Sequence, residues 1–404
     1  MDAILIGGGL NGPALALALA QAGLEVTLVE RLAPELRTDP DFDGRSYALS
    51  HAPAQLLRAI GIWDAVAGHA QPIHKIQVTD GRAGEGAAPF FLLFDGAEIE
   101  EWPPGYVVED RYLRRAYQDA LDAEPRITQI TGVDVTGHAV DDGGVTATLS
   151  DGRALTAQMV VGCDGVTSRT AARAGIGRMS WSYGQTSFSC AISHEKPHNG
   201  IAHQFFMPPG PLAILPLPGN RSSIVWTETD SAARRIAELD DDAYLALLRP
   251  RVGDFLGDIA LAGRRFHYPV PLSIAHRFAA PRVALVGDAA HRVHPLAGQG
   301  LNAGLKDVGA LAEVLVEAHR RGEDIGRLDV LQRYERWRRF DVATLAWMTD
   351  GVNRLFSNDN PLLRLGRDIG LGVINGLPGL RRGLMREAAG VTGDVPKLLR
   401  GRAL

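Results

Sequence analysis

The residues best suited to chemistry stand at the very start of the chain, in Gly7-Gly8-Gly9-Leu10-Asn11-Gly12. This G-x-G-x-x-G set lies between an apolar run, Ala3–Ile6, and an Ala/Leu-rich stretch that reads as a helix over 13–22. Gly7 permits a tight turn, Gly9 lets backbone approach a pyrophosphate, and Gly12 allows helix and strand to pack closely. The helix N-terminus then offers N–H donors and a positive dipole end to phosphate. Gly23 suits the helix C-cap, and a second strand, 25–29, ends beside Glu30, eighteen residues after Gly12. A carboxylate there accepts hydrogen bonds from both ribose hydroxyls of an adenosine. This set alone implies an adenosine diphosphate moiety and does not choose between NAD and FAD.

Two later turns make that choice. Val160-Val161-Gly162-Cys163-Asp164-Gly165 continues to Ser168 and Arg169. Val283-Ala284-Leu285-Val286-Gly287-Asp288 continues to His291 and then to His294-Pro295-Leu296-Ala297-Gly298-Gln299-Gly300-Leu301-Asn302. Asp288 at a strand end can accept a hydrogen bond from a ribitol hydroxyl. Small residues at 297–300 leave backbone room beside a flat ring. A helix starting near Leu301 aims its dipole at that ring, where reduced flavin carries negative charge. The cofactor expected from these residues is FAD.

Together the three motifs, in this order, resemble the flavoprotein aromatic monooxygenases of the para-hydroxybenzoate hydroxylase type. More narrowly, the chain resembles the ubiquinone-biosynthesis hydroxylases. That match rests on Asp43-Gly44-Arg45-Ser46-Tyr47-Ala48-Leu49-Ser50, on 210–218, on 294–305, and on the tail Asp350-Gly351-Val352-Asn353-Arg354-Leu355-Phe356-Ser357-Asn358-Asp359. The resemblance implies hydroxylation of a polyprenylated phenol, with O2 and with NAD(P)H or a separate reductase, through a flavin hydroperoxide. It also implies that Arg45 and Arg111 face the FAD phosphates and adenosine, that Val135 meets the adenine through its backbone, and that Asp164 and Arg169 take part in NAD(P)H use. The cofactor-binding set is therefore Gly7, Gly9, Leu10, Asn11, Gly12, Glu30, Arg31, Arg45, Arg111, Val135, Asp164, Arg169, Gly287, Asp288, Gly298, Gly300, Leu301 and Asn302.

No nucleophilic triad is needed for such chemistry, and the sequence offers no G-x-S-x-G. His291 and His294 have no convincing metal spacing, so no metal is expected. His294, flanking the flavin loop, is a candidate for proton relay or for a purely structural cap. His203, with Gln204, is a candidate for the substrate cavity from alternation on a strand. Two other readings stay open at this level: another flavoenzyme on the same fold, such as a tailoring hydroxylase, and a non-catalytic accessory subunit of a quinone-biosynthesis complex. The W-x-W-x-I-P of halogenases is absent.

The elements that must position these residues point to an α/β fold: a Rossmann-like FAD-binding domain with an inserted β-sheet substrate domain and a helical C-terminal region. Strand-like segments at 75–108 and 186–228 interrupt the βαβ pattern, and helical stretches are expected at 54–60, 109–123, 231–249 and 304–320. This gives an FAD domain from 1–74, 109–184 and 275–335, a sheet domain from 75–108 and 185–274, and a helical region over 336–404. A chain of 404 residues with 46% apolar residues can bury several cores. A net charge of −5 argues against a nucleic-acid partner. Two cysteines make no disulfide framework, and the chain opens directly on a strand, so a cytoplasmic protein without a signal peptide or membrane span is expected. From Pro361 onward eight Lys/Arg stand against three acids. Such a basic, apolar-rich stretch can pack on its own domain, touch an anionic inner-membrane surface, or dock on partner proteins.

Overall fold

In the computed structural model, residues 1–36, 39–84, 86–99, 103–357, 367 and 370–404 are described. Asn358 and Asp359 of the tail stretch, and Arg364 and Asp368 of the basic one, lie outside them.

The first strand, Ala3–Ile6, is buried on both faces, which is why it reads as an unbroken apolar run. It is central to a six-stranded sheet ordered Ala279–Ala280, Val283–Leu285, Met159–Gly162, Ala3–Ile6, Val26–Glu30 and Ile127–Thr131. All neighbours are parallel except the first pair. All three turns singled out from the sequence leave the carboxyl ends of adjacent strands in this sheet, where open parallel sheets hold their ligands. The helix Asn11–Gln21 is buried continuously from Gly12 to Ala20. Its small alanines let it lie between the sheet and the long helix Gln299–Arg320. A three-stranded antiparallel sheet, 135–140, 145–149 and 154–157, flanks this layer.

The other large sheet has nine strands among the described residues. Its main path runs His291–Arg292, Phe266–Ala275, Arg178–His194, Arg221–Thr229, Gly210–Leu217, Ile201–Met207, Lys75–Arg82 and Gly86–Asp95. One face carries a core of Phe205, Met207, Ile224 and Trp226 under the helices Asp230–Ala237 and Asp241–Val252. The opposite face, with Val78, Leu92, Phe94 and Phe206, meets Leu296 of the flavin loop and Phe356 of the helix Leu328–Phe356. The strand Gly105–Glu109 belongs to neither large sheet; it pairs with Ser46–Ser50 and Gln71–Ile73. The strand Arg178–His194 begins ahead of residue 185 and pairs only within the nine-stranded sheet, with a register shift against Phe266–Ala275 between Ser182 and Thr186.

Among the described residues, no helix is long and apolar enough to cross a membrane.

Candidate FAD site

Each glycine of the first turn has a distinct geometric reason. Gly7 has φ +112°, and a Cβ there would lie 2.4 Å from the Cys163 carbonyl oxygen. A Cβ on Gly12 would lie 2.0 Å from the Gly7 oxygen. A Cβ on Gly9 would meet nothing within 4 Å, because Gly9 borders open space. That space is a cavity of about 370 Å³ lined by Gly7–Gly9, Glu30–Leu32, Arg114, Val133–Val135, Cys163–Gly165, Thr167, Arg169 and Arg173. The structure thus brings Gly7, Gly9, Glu30, Arg31, Val135, Asp164 and Arg169 together around one cavity. The buried Glu30 carboxylate accepts from Gly8 N at 2.5 Å and Leu32 N at 2.8 Å, which fixes it at the cavity wall.

Several of these residues also hold the walls. Asp164 accepts from Ser168 Oγ, Thr170 N and Thr170 Oγ1, so it ties down the start of the short helix Arg169–Arg173. Arg169 pairs with Asp134 at 2.6 Å, and Arg173 donates to the Val135 carbonyl at 2.6 Å. Leu10 turns into the core rather than toward the cavity.

Arg45 and Arg111 are not among the cavity's lining residues. Glu109 is fully buried, and a buried carboxylate demands compensation. Arg111 Nε at 2.8 Å and Arg221 Nη2 at 2.7 Å supply it, and Arg111 lies over Tyr112. Arg45 pairs with Asp43 at 2.7 Å and reaches Asp110 at 3.4 Å. The arginine that faces the glycine turn is Arg114, held by Asp110 one helical turn earlier at 2.7 Å. Sequence reasoning missed it; the Asp110/Arg114 i,i+4 spacing was the available signal.

At the second end, Gly287 has φ +63° and no room for a side chain, because Asn11 Nδ2 would lie 2.2 Å from its Cβ. A Cβ on Gly304 would lie 2.4 Å from the same nitrogen. Asn11 is therefore wedged between the flavin turn and the helix Gln299–Arg320, locking the two halves of the site together. Its Oδ1 is buried and has no protein partner among the described residues. Beneath the turn, fully buried Asp307 accepts from Gly287 N at 3.0 Å, His291 Nε2 at 2.6 Å and Arg338 Nε at 2.8 Å. The two cationic or proton-donating neighbours hold its carboxyl below the usual range despite burial. From the sheet side, Arg178 donates to the carbonyls of Asp288 and Ala289. Burial pushes the Asp288 carboxyl up, against the pull of Arg292, His291 and Arg178. Asp307 had a legible signal: an acid within the apolar stripe of its helix. Arg178 and Arg338 had none.

The flavin loop ends at Gly298, φ +66°, immediately before the helix. Gly300 borders open space, and Leu301 packs on the core. The Asn302 side chain is spent on protein: Oδ1 accepts from Ser50 N at 2.9 Å, and Nδ2 donates to the carbonyls of Ala48 and Gly298. It fastens the loop to the strand Ser46–Ser50. A smaller cavity, about 70 Å³, lies between Ala48–Ser50, Gln299, Asn302, Ile73, Ile76, Phe94 and the C-terminal helix residues Met385, Ala388 and Ala389.

His203 corrects the sequence expectation. Neighbours on a strand face opposite sides. Phe206, and with it Gln204, is on the side of the flavin loop. His203 packs against Phe205 and Phe255 on the other side, 4.5 Å from the Phe255 ring. His294 is fully buried beside the flavin loop, at 3.2 Å from Gln185 Oε1.

The residues fit FAD: an open approach at Gly9, an orphaned Asn11 oxygen between two glycine cradles, and a carboxylate at the end of each flanking strand. Such a site on a two-sheet frame is that of a flavoprotein. The FAD binding domain family matches residues 1–346. Ubiquinone hydroxylase UbiL of Rhodospirillum rubrum is 43% identical over 99% of this chain and 92% of its own length. The 3-demethoxyubiquinol 3-hydroxylase of Escherichia coli is 35% identical over 96% of this chain and 98% of its own. Among solved structures, p-nitrophenol 4-monooxygenase PnpA of Pseudomonas putida shares the fold, with TM-score 0.81 and 20% identity over 97% of this chain and 98% of its own. The chain belongs to the FAD-binding flavoprotein monooxygenase family that includes the ubiquinone hydroxylases.

Proposed function

We propose that this monooxygenase hydroxylates the aromatic ring of a polyprenylated phenol in ubiquinone biosynthesis, with O2 and with electrons from NAD(P)H or a reductase. The observation that carries the reading is the apolar sheet face of Val78, Leu92, Phe94 and Phe206 set directly against the flavin loop at Leu296. An aromatic ring with an isoprenoid tail suits such a surface, and the ubiquinone hydroxylases among the relatives support the substrate class.

In this reading the Gly7–Gly12 turn and Arg114 hold the diphosphate, Glu30 the adenosine ribose, and Asp288 the ribitol chain. The N-terminus of the helix Gln299–Arg320 stabilises negative charge on the flavin edge. Bound FAD supplies electron transfer and O2 activation. The protein's own residues orient the ring and exclude water. Asn302 and Asn11 keep the flavin loop and turn in register.

An isoprenoid substrate partitions into membranes, which supports contact of the enzyme with a membrane surface. The face suited to contact is the outer side of the helix Leu328–Phe356, where Phe340 and Trp347 are 77% and 81% exposed beside Met348. Arg336 and Arg339 flank it, and Val373, Leu377 and Leu380 are also exposed. Aromatic and cationic side chains together suit an anionic bilayer.

Complementation tests the function. The gene should restore quinone in a strain lacking one ring-hydroxylation step, with the accumulated intermediate identified by mass. Rescue of no such strain would overturn the reading.

A further inference from the structure

His294 opens the flavin loop with its ring completely buried. Which ring nitrogen carries the proton depends on what Gln185 presents to Nε2, 3.2 Å away. The surroundings fix that amide. Gln185 Nε2 donates to the Pro209 carbonyl at 2.8 Å, a group that can only accept. Asn353 Nδ2 donates to Gln185 Oε1 at 3.1 Å. Gln185 Nε2 also donates to Ser357 Oγ at 3.4 Å, and that hydroxyl passes its own hydrogen to Asn353 Oδ1 at 2.9 Å, which orients Asn353. Reversing the Gln185 amide would set oxygen against oxygen at Pro209 and N–H against N–H at Asn353. Gln185 Oε1 therefore accepts, His294 Nε2 bears the hydrogen, and Nδ1 presents a lone pair. Among the described residues that buried Nδ1 has no hydrogen-bond partner. Native interiors seldom leave such an acceptor unused.

We propose that His294 Nδ1 accepts a hydrogen bond from the hydroxyl of the bound aromatic substrate, and that Gln185, Asn353 and Ser357 are positioning residues that hold the imidazole in the Nε2–H tautomer. The inference rests on the ring-hydroxylase reading above. It also gives a role to part of the tail stretch 350–359, which cofactor binding does not use.

The titratable and charged groups around this ring are Tyr183, edge to face at 5.3 Å, and Asp350 on the same helix as Asn353. Asp350 is paired with Arg354 at 2.9 Å. Burial outweighs the pull of Asp350 and drives the imidazole down to about 4, so it is neutral at physiological pH. A phenol loses its proton near 10, so full transfer to this imidazole is unfavourable in the resting complex. The imidazole orients the hydroxyl and draws on its proton, which raises electron density in the ring without forming a stable ion pair.

The test uses FAD-loaded protein and two probes, a short-chain 2-prenylphenol and its methyl ether. In isotope-labelled wild-type protein, histidine nitrogen NMR should place the His294 proton on Nε2, and the Nδ1 signal should move with the phenol only. Titration followed by flavin absorbance should show the phenol binding about tenfold or more tighter than the ether. Gln185→Leu removes the acceptor of the Nε2 proton, so the imidazole is no longer held in the Nε2–H tautomer. The phenol preference should then fall to about twofold or less, as it should in His294→Ala, with FAD content as the check on folding. A wild-type proton on Nδ1, or an undiminished preference in FAD-loaded His294→Ala, would overturn the proposal. Failure of the underlying reading looks different: neither probe would perturb the wild-type flavin, and the proposal would fall with it. Failure of this inference alone leaves both probes bound with equal affinity.

Discussion

Replacing Asp307 should be among the most damaging single changes outside the cavity walls. Its carboxylate has no solvent exposure and holds Gly287 N, His291 and Arg338 at once. Asp307→Ala strips three donors of their acceptor in one step. Arg338, 3% exposed, keeps only the half-exposed Asp341 at 2.7 Å. Breaking one side of a buried ion pair costs about 3–5 kcal/mol, because the surviving charge is left in a poor medium. The Gly287 turn also loses its anchor, so FAD content should drop with stability. Urea unfolding followed by circular dichroism, with flavin content measured on the same preparation, gives both quantities. A matched control is Glu317→Ala, which breaks the exposed pair with Lys397 and should cost about 1 kcal/mol or less. An Asp307→Ala protein within about 1 kcal/mol of wild type and fully loaded with FAD would refute the reasoning.

Other perturbations follow from the same geometry. Gly9→Ala places a methyl at the open cavity edge, so the protein should fold while FAD binds about tenfold or more weaker; Gly7→Ala drives a Cβ into the Cys163 carbonyl and should yield little folded protein at all. Calorimetric flavin titration and solubility separate the two, and equal behaviour would argue against the roles assigned. His294, lowered to about 4 by burial, binds its proton more readily when unfolded. Its contribution, roughly 3 kcal/mol, is complete above the unfolded value near 6.5 and is lost as pH falls toward 4. His294→Gln should therefore flatten the fall of unfolding free energy across that window; an unchanged slope would count against the burial argument. Phe340→Ser with Trp347→Ser should weaken binding to phosphatidylglycerol vesicles about tenfold or more, since each side chain buries about 1.5–3 kcal/mol of apolar surface. Retained binding would remove that face as the contact.

Much of the cofactor layer was legible because its constraints are local. A buried parallel strand is an apolar run, and a turn that approaches phosphate needs glycine, so the signals at Gly7–Gly12 and Gly287–Asp288 stand in consecutive residues. The nine-stranded sheet was legible as alternation, but alternation does not say which face is inward; His203 was a candidate for the substrate cavity and packs against Phe255, on the face away from the flavin loop. Arg111 illustrates the limit for charged residues. Nothing near it in sequence announces that Glu109 is fully buried and will claim its guanidinium together with Arg221. Arg114, paired with Asp110, lines the cavity. Asn11 and Asn302 were placed on the cofactor, yet Asn302 acts by fastening its loop to Ala48 and Ser50, some 250 residues away in the chain. Gln185 and Asn353 come together only through the fold, 168 residues apart.

The central claim is that bound FAD and O2 place an oxygen atom on a prenylated phenol. The direct measurement is the product of the purified, FAD-loaded protein with NAD(P)H or a reductase, a short-chain 2-prenylphenol and isotopically labelled O2, analysed by mass spectrometry. The expected result is a ring-hydroxylated product carrying one labelled oxygen atom. Flavin that is reduced and reoxidised in the presence of bound substrate, with no label entering the ring, would contradict it.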